Sequence, residues 1–248
     1  MAQRCYYVQT IIYFIRTNSK ILHKGPGYHL DNDTMKSFVI TIMDNERSVE
    51  VAERCIKSGK RFGIDIEKVA AITPKHDPIK IATDLGIPTE GFKEVYSRYH
   101  NCVSAFLSHH KIWKECARLN EQCLILEHDA VIVDNIPVFK SFKHIMNVGK
   151  PSYGKAQQPM TLGVNPLTSK QYLPGAHGYM ITPAGAQLLL GRAKTHAKPT
   201  DVFINIALFP TIQEYYPWPV EAKDSFTTIQ SQIGCLAKHN YGEAYDIL

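Results

Sequence analysis

The sequence predicts a single α/β domain with a mainly parallel central sheet flanked by helices. Three observations carry this. Short runs of apolar, β-branched and aromatic residues recur along the chain, and segments of helical periodicity alternate with them. The 248 residues are 44% hydrophobic and 21% charged, a composition that fills one large core and lies far from disordered or fibrous chains. Strands joined through helices in this order pair in parallel with right-handed crossovers.

Residues 1–34 are expected to be an N-terminal extension, because Gly25-Pro26-Gly27 and Asp31-Asn32-Asp33 make a turn-rich stretch ahead of the first convincing strand. Whether Met35 is a second start stays open, and residues 35–248 form the folded domain. Phe38 to Ile42 reads as a strand buried on both faces and ended by Asp44-Asn45-Glu46. Val49, Ala52, Cys55 and Ile56 follow at helical spacing, with Ser48 as cap and Gly59 at the stop. Val69 to Ile72 is a second strand, stopped by Thr73-Pro74. Between Lys75 and Arg98, the breakers Pro78, Gly86, Pro88 and Gly91 predict a long ordered loop of the kind that serves ligands. A helix from Ser104 to Leu119 sets Phe106, Leu107, Trp113, Cys116 and Ala117 largely on one side, which makes Trp113 a core residue. Cys123 to Leu126 is the third buried strand and Gly178 to Ile181 a short one. Thr182 then caps a helix that Pro183 opens and that runs through Leu190. Another helix begins near Thr200-Asp201, and Ile212 to Tyr216 makes a strand ended by Pro217-Trp218-Pro219.

The 28 Lys and Arg against 23 Asp and Glu give a net charge of +5, which suits anionic ligands without a polybasic tract; no nucleic-acid partner is expected. The six cysteines, Cys5, Cys55, Cys102, Cys116, Cys123 and Cys235, show neither CxxC pairs nor zinc-ligand spacing, so they read as buried thiols of a reducing, cytoplasmic compartment. The apolar run Tyr6 to Ile15 is interrupted by Gln9 and Thr10 and falls well short of the roughly 20 residues a membrane span requires. No transmembrane segment or signal peptide is expected, which leaves peripheral membrane association open.

The most informative segment is Cys123-Leu-Ile-Leu-Glu127-His128-Asp129-Ala130, an apolar strand that runs straight into two carboxylates flanking a histidine. Ligands of open α/β sheets bind outside the carboxyl ends of strands. In extended backbone, positions i and i+2 project to one side, so Glu127 and Asp129 are expected to converge on one cation. Hard oxygen ligands suit Mn²⁺ or Mg²⁺, which complete their shell with water and substrate phosphates, and a diphosphate is the natural partner. Taken alone, the same triplet also fits a chain turning into solvent. His128 alone fits either a hydrogen-bonded surface group or a contact to the metal or a nucleotide hydroxyl.

Further motifs stand in a fixed order around this one. Phe38-Val-Ile-Thr-Ile is followed by Arg47-Ser48; Ser108-His109 is followed by Trp113; and Leu124-Ile-Leu-Glu127-His128-Asp129-Ala130 comes next. Gly178-Tyr179-Met-Ile-Thr182-Pro-Ala-Gly185-Ala186-Gln-Leu-Leu, Pro199-Thr200-Asp201 and the tail from Ser225 to Ile229 complete the series. Over residues 36–229 this order resembles glycosyltransferase family 25, which includes lipopolysaccharide and collagen galactosyltransferases. Two departures stand out: His128 occupies the middle acid of the family's Leu-Glu-Asp-Asp-Ala signature, and Ser104 and Ala105 replace the glycine and cysteine that precede Ser-His.

The resemblance implies a GT-A fold for residues 35–248, a nucleotide-sugar donor such as UDP-galactose, a glycan or glycoconjugate acceptor, and inversion at the anomeric carbon. On that reading Glu127 and Asp129 hold Mn²⁺ or Mg²⁺, and Arg47 adds positive charge at the leaving diphosphate unless it is a solvated first-turn residue. Ser108, His109 and His128 belong to the donor side, with helix capping and packing as the other reading of Ser108 and His109. Asp201 matches the family's Pro-x-Asp and is the candidate general base, or else only a helix cap. His177 and Tyr179 are expected on the acceptor side. Two other readings remain: a metal-dependent phosphodiesterase or nuclease, and a degenerate nucleotide-binding domain.

Overall fold

The computed structural model describes residues 35–93, 98–137, 142–223, 226–229 and 246–247. The expected extension 1–34 with its Tyr6–Ile15 run, Cys5, Cys235 and Ser225 lie outside the described residues.

The chain opens with β1 (Lys36–Thr41), α1 (Glu46–Lys60) and β2 (Glu67–Ala70), continues through α2 (Pro78–Asp84) and α3 (Tyr99–Leu119), and enters β3 (Cys123–Glu127). Short strands β4 (Ala130–Ile132), β5 (Ile145–Asn147), β6 (Gly163–Pro166) and β7 (Gly178–Ile181) follow, then α4 (Pro183–His196), α5 (Thr200–Phe203), β8 (Gln213–Tyr216) and β9 (Val220–Ala222). Seven strands form one sheet in the order β2-β1-β3-β7-β5-β8-β6, beside a small antiparallel pair of β4 and β9. Five strands of the large sheet run the same way, with β7 and β6 set against them.

Alternation along the strands explains why helices cover both faces. In β3, Cys123 and Ile125 join the core under α3 and α4, whereas Leu124 and Leu126 join the core under α1. Phe38 against Val39 in β1, and Tyr179 against Met180 in β7, divide in the same way. The α3 face holds an aromatic cluster in which Trp113 stacks on Phe203 at 5.8 Å and meets Phe106 edge-on at 5.4 Å.

Register brings the functional segments to one edge. Ile40 of β1 pairs with Glu127 of β3, so the turn into α1 lies beside the end of β3. Because β7 runs antiparallel, with Gly178 opposite Leu126, its entry residue His177 arrives at that same edge, and the Glu127 N–H donates to the His177 carbonyl at 3.3 Å.

Several boundaries differ from the sequence expectation. Asn45, not Ser48, caps α1, its side chain accepting from the Ser48 N–H at 2.9 Å. Strand β2 ends at Ala70, two residues before the expected Ile72. The expected loop from Lys75 to Arg98 contains α2: Asp77, at φ 51°, accepts from the Lys80 N–H, Pro78 takes the first helical position, and Gly86, at φ 66°, stands just past the end. Those breakers bound a helix rather than forbid one. Helix α3 begins at Tyr99, five residues ahead of the expected Ser104. Cys55, Cys102, Cys116 and Cys123 are buried, and no helix among the described residues is long and apolar enough to cross a membrane.

Candidate functional site

Glu127 ends β3 with 34% of its side chain exposed. One oxygen lies 3.2 Å from His109 Nε2; His109 Nδ1 lies 2.9 Å from the Tyr179 hydroxyl, and Trp113 Nε1 donates to that hydroxyl at 2.8 Å. Indole nitrogen is a donor only, so one proton arrangement satisfies every atom: Trp113 N–H to the Tyr179 oxygen, Tyr179 O–H to His109 Nδ1, and His109 Nε2–H to the Glu127 carboxylate. Helical spacing supplies the pair from α3, since His109 and Trp113 are four residues apart on one face. Burial pushes the Glu127 carboxyl up, but the His109 hydrogen bond and the nearby His177 and His128 rings outweigh it and hold the group below its ordinary range, ionised.

His128 leaves the strand on the other side of this edge. Its Nδ1 lies 2.6 Å from Ser48 Oγ, which also accepts from the Ile42 N–H at 2.9 Å. Burial holds the His128 imidazole below its ordinary value, against the pull of Glu127 and with the help of Arg54. Arg47 is half-buried in the first turn of α1, adjacent to Ser48. Asp129 is 7% exposed, its backbone carbonyl accepts from Lys223 N–H at 3.0 Å and from Arg54 at 3.4 Å, and with burial its charge helps push the Cys55 thiol of α1 up to about 12.

The extended backbone on which the expected convergence of Glu127 and Asp129 rested stops at Glu127. His128 and Asp129 form a turn rather than extended backbone, so the period-two argument lapses after Glu127. Glu127 is held by α3, while Asp129 is enclosed near Cys55 of α1. Among the described residues no three His, Cys, Asp or Glu side chains gather around one point. A Mn²⁺ or Mg²⁺ held here would rest on Glu127 and Asp129, with water and a substrate phosphate completing its shell.

Four other expected residues are buried. Tyr179 is fully buried with its hydroxyl shared between Trp113 and His109, so it supports His109 rather than lining an acceptor surface. His109 is 1% exposed and braces Glu127 instead of meeting a donor. Ser108 is buried; its hydroxyl donates to the Ser104 carbonyl at 2.8 Å and accepts from the Ile72 N–H at 2.8 Å, which ties α3 to the segment after β2. His177 is 2% exposed and fills the space between two glycines: a Cβ on Gly149 would stand 2.6 Å from its Nε2, and one on Gly175 would stand 2.6 Å from its Nδ1.

Asp201 lies half-buried on α5, whose neighbour Phe203 is locked in the aromatic core. Its Oδ1 accepts from the Val202 N–H at 2.9 Å and its Oδ2 accepts from the Tyr153 hydroxyl at 2.8 Å. Burial pushes the Tyr153 phenol well above its ordinary value, and the charges of Asp201 and Glu127 push it the same way, so both carboxylates act on this one hydroxyl. Lys170 Nζ stands 4.6 Å from the Tyr153 ring centre and 5.5 Å from that of Tyr172. Sequence reasoning missed Arg54, Tyr153 and Lys170; none lies in a motif, and only the fold brings Tyr153 and Lys170 to Asp201.

The model of glycosyltransferase family 25 (LPS biosynthesis protein) matches residues 34–158, half of the chain, and includes the β3 end with Glu127, His128 and Asp129. A search of curated proteins found no match. Among solved structures, the chain is similar to a Drosophila β-1,4-galactosyltransferase 7 variant in complex with manganese, UDP-Gal and xylobiose, at 8% identity and a TM-score of 0.34, over 62% of this chain and 52% of that one. The chain thus spans about half the length of that structure. With the family model covering β1 through the segment after β5 and the strand-end acids within it, the chain belongs to glycosyltransferase family 25.

Proposed function

We propose that this protein transfers a hexose, with galactose favoured, from a UDP-sugar to a hydroxyl of a glycan or glycoconjugate, with inversion and with Asp201 as general base. Family membership is the observation that carries the reading, because it joins the Glu127-His128-Asp129 strand end to sugar-transfer chemistry. GT-A is the fold name this reading attaches to the layered sheet.

In the transfer, the acceptor oxygen attacks the anomeric carbon as the bond to the leaving phosphate breaks. The electron pair departs with the diphosphate, and the acceptor proton passes to the Asp201 carboxylate. Arg47 and the N–H groups opening α1 supply positive potential near the strand end that faces the departing charge. Glu127, kept ionised by His109, is a fixed acceptor for sugar or ribose hydroxyls. Glu127 and Asp129 are the residues that would hold a divalent cation, which would supply charge neutralisation at the leaving diphosphate.

The nuclease alternative requires more clustered acids than this edge offers: no group of three metal-binding side chains assembles among the described residues. Screening the purified protein against a panel of nucleotide sugars, each with and without Mn²⁺, tests the reading by the release of nucleoside diphosphate. Turnover of one sugar nucleotide supports it. Cleavage of DNA with every sugar nucleotide left intact would replace it by the nuclease reading, and binding without turnover by the degenerate-domain reading.

A further inference from the structure

We propose that Tyr153 is a positioning residue for the Asp201 base, its phenol fixing the orientation of the carboxylate toward the incoming acceptor hydroxyl. The inference rests on the assignment of Asp201 as base and adds a residue that lies in none of the sequence motifs.

The geometry is specific. Both carboxylate oxygens are tied: Oδ1 accepts from the Val202 N–H at 2.9 Å and Oδ2 from the Tyr153 O–H at 2.8 Å. Two hydrogen bonds from different parts of the chain stop rotation of the carboxylate about its last bond, which a base poised over one hydroxyl requires.

The phenol is itself held. Its ring lies 6.4 Å from that of Tyr172 at an interplanar angle of 17°, with Lys170 Nζ over both rings. Gly154, at φ 63°, turns the chain directly after Tyr153, and a Cβ there would stand 3.3 Å from Lys170 Nζ. Backbone bonds join the three segments involved. Gln157 N–H donates to the Ser169 carbonyl at 3.1 Å, Leu173 N–H to that of Ile204 at 2.7 Å, and Ile206 N–H to that of Gln171 at 2.9 Å.

Tyr153, Lys170 and Tyr172 thus form a frame docked on the end of α5, and the charged groups acting on the phenol are Asp201 on α5 and Glu127 on β3. Burial, with these two charges adding to it, keeps the phenol protonated, so it remains a donor wherever the carboxylate is ionised.

Tyr153→Phe is the test, because it removes one hydroxyl and leaves the ring under Lys170. Transfer kinetics are expected to show kcat lower by about tenfold, with acceptor KM and donor Kd within about twofold. The acidic limb of the kcat profile moves to higher pH, since the charged carboxylate has lost a donor. Carbon-13 NMR titration of the Asp201 carboxyl reads the same upward move without any substrate. Asp201→Asn is run in parallel. If it is inactive while Tyr153→Phe keeps the wild-type kcat, pH limb and carboxyl titration, the positioning role is overturned and the base stands. If Asp201→Asn transfers sugar at the wild-type rate, the base assignment fails and the Tyr153 role falls with it.

Discussion

Replacing Tyr179 by Phe removes one oxygen from the centre of the buried chain that ends on Glu127. The ring keeps its place in β7, so the loss is confined to hydrogen bonding. Trp113, with no exposed surface, loses the acceptor 2.8 Å from its Nε1, and His109, 1% exposed, loses the donor 2.9 Å from its Nδ1. Each buried polar atom left without a partner costs about 1–3 kcal/mol, while the deleted hydroxyl no longer has to be desolvated, which offsets part of the sum. The net expectation is a loss of about 2–3 kcal/mol. Urea denaturation at neutral pH reads it as a fall in the transition midpoint of about 1 M for a domain of this size. The same variant releases the tautomer of His109, so Glu127 loses its fixed donor and transfer falls even at temperatures where the fold is intact. A stability within about 0.5 kcal/mol of wild type would refute the reasoning, because it would mean that Tyr179 is not the shared partner of these two side chains.

Two further outcomes follow from the same structure. His110 packs edge-on to Trp113 at 6.0 Å, and burial, helped by the charges of Lys114 and Lys194, pushes its imidazole down to about 4. A folded-state value below the unfolded one means that stability is complete above about pH 6.5 and lost as pH falls toward 4, a loss of about 2 kcal/mol by pH 5. Urea midpoints at pH 7.5 and pH 5 should therefore fall less for His110→Gln than for wild type; equal falls would contradict the assignment. Titrating Mn²⁺ into the protein with UDP present should give saturable heat that Asp129→Ala abolishes, and heat unchanged in that variant would contradict the placing of the cation on Glu127 and Asp129.

Legibility in the sequence followed the range of the interactions. Strand β3 was readable from Leu124-Ile-Leu because a strand buried on both faces needs no partner to declare itself, and α4 from Thr182-Pro183 because its cap and first turn are local. The family motifs were readable for the same reason, being short and contiguous. Helix α2 was hidden because Pro78 and Gly86 mark both the ends of a helix and the interior of a loop, and only Asp77 in the left-handed region decides between them. Strand β6, with Gly163 and Pro166 at its ends, owes its extended form to β8 beside it.

In the site, Asp201 was found by its motif, but Tyr153 stands 48 positions away and carries no local signal. Strand periodicity was extended two residues past Glu127, beyond the point where the chain turns, because a turn set by the fold leaves no local signal. Tyr179 and His109 were assigned to ligands through the family motifs in which they lie; their mutual hydrogen bond spans 70 positions, and no local pattern announces it.

Single-turnover transfer by Asp201→Asn, with donor affinity measured beside it by calorimetry, tests the central assignment most directly. Asn keeps the shape and can still accept from Tyr153, but it cannot take a proton from the acceptor. The account predicts donor binding within about twofold of wild type and transfer slower by about 100-fold or more. Transfer at the wild-type rate would contradict it, and so would loss of donor binding, which would place Asp201 on the donor rather than beside the acceptor hydroxyl.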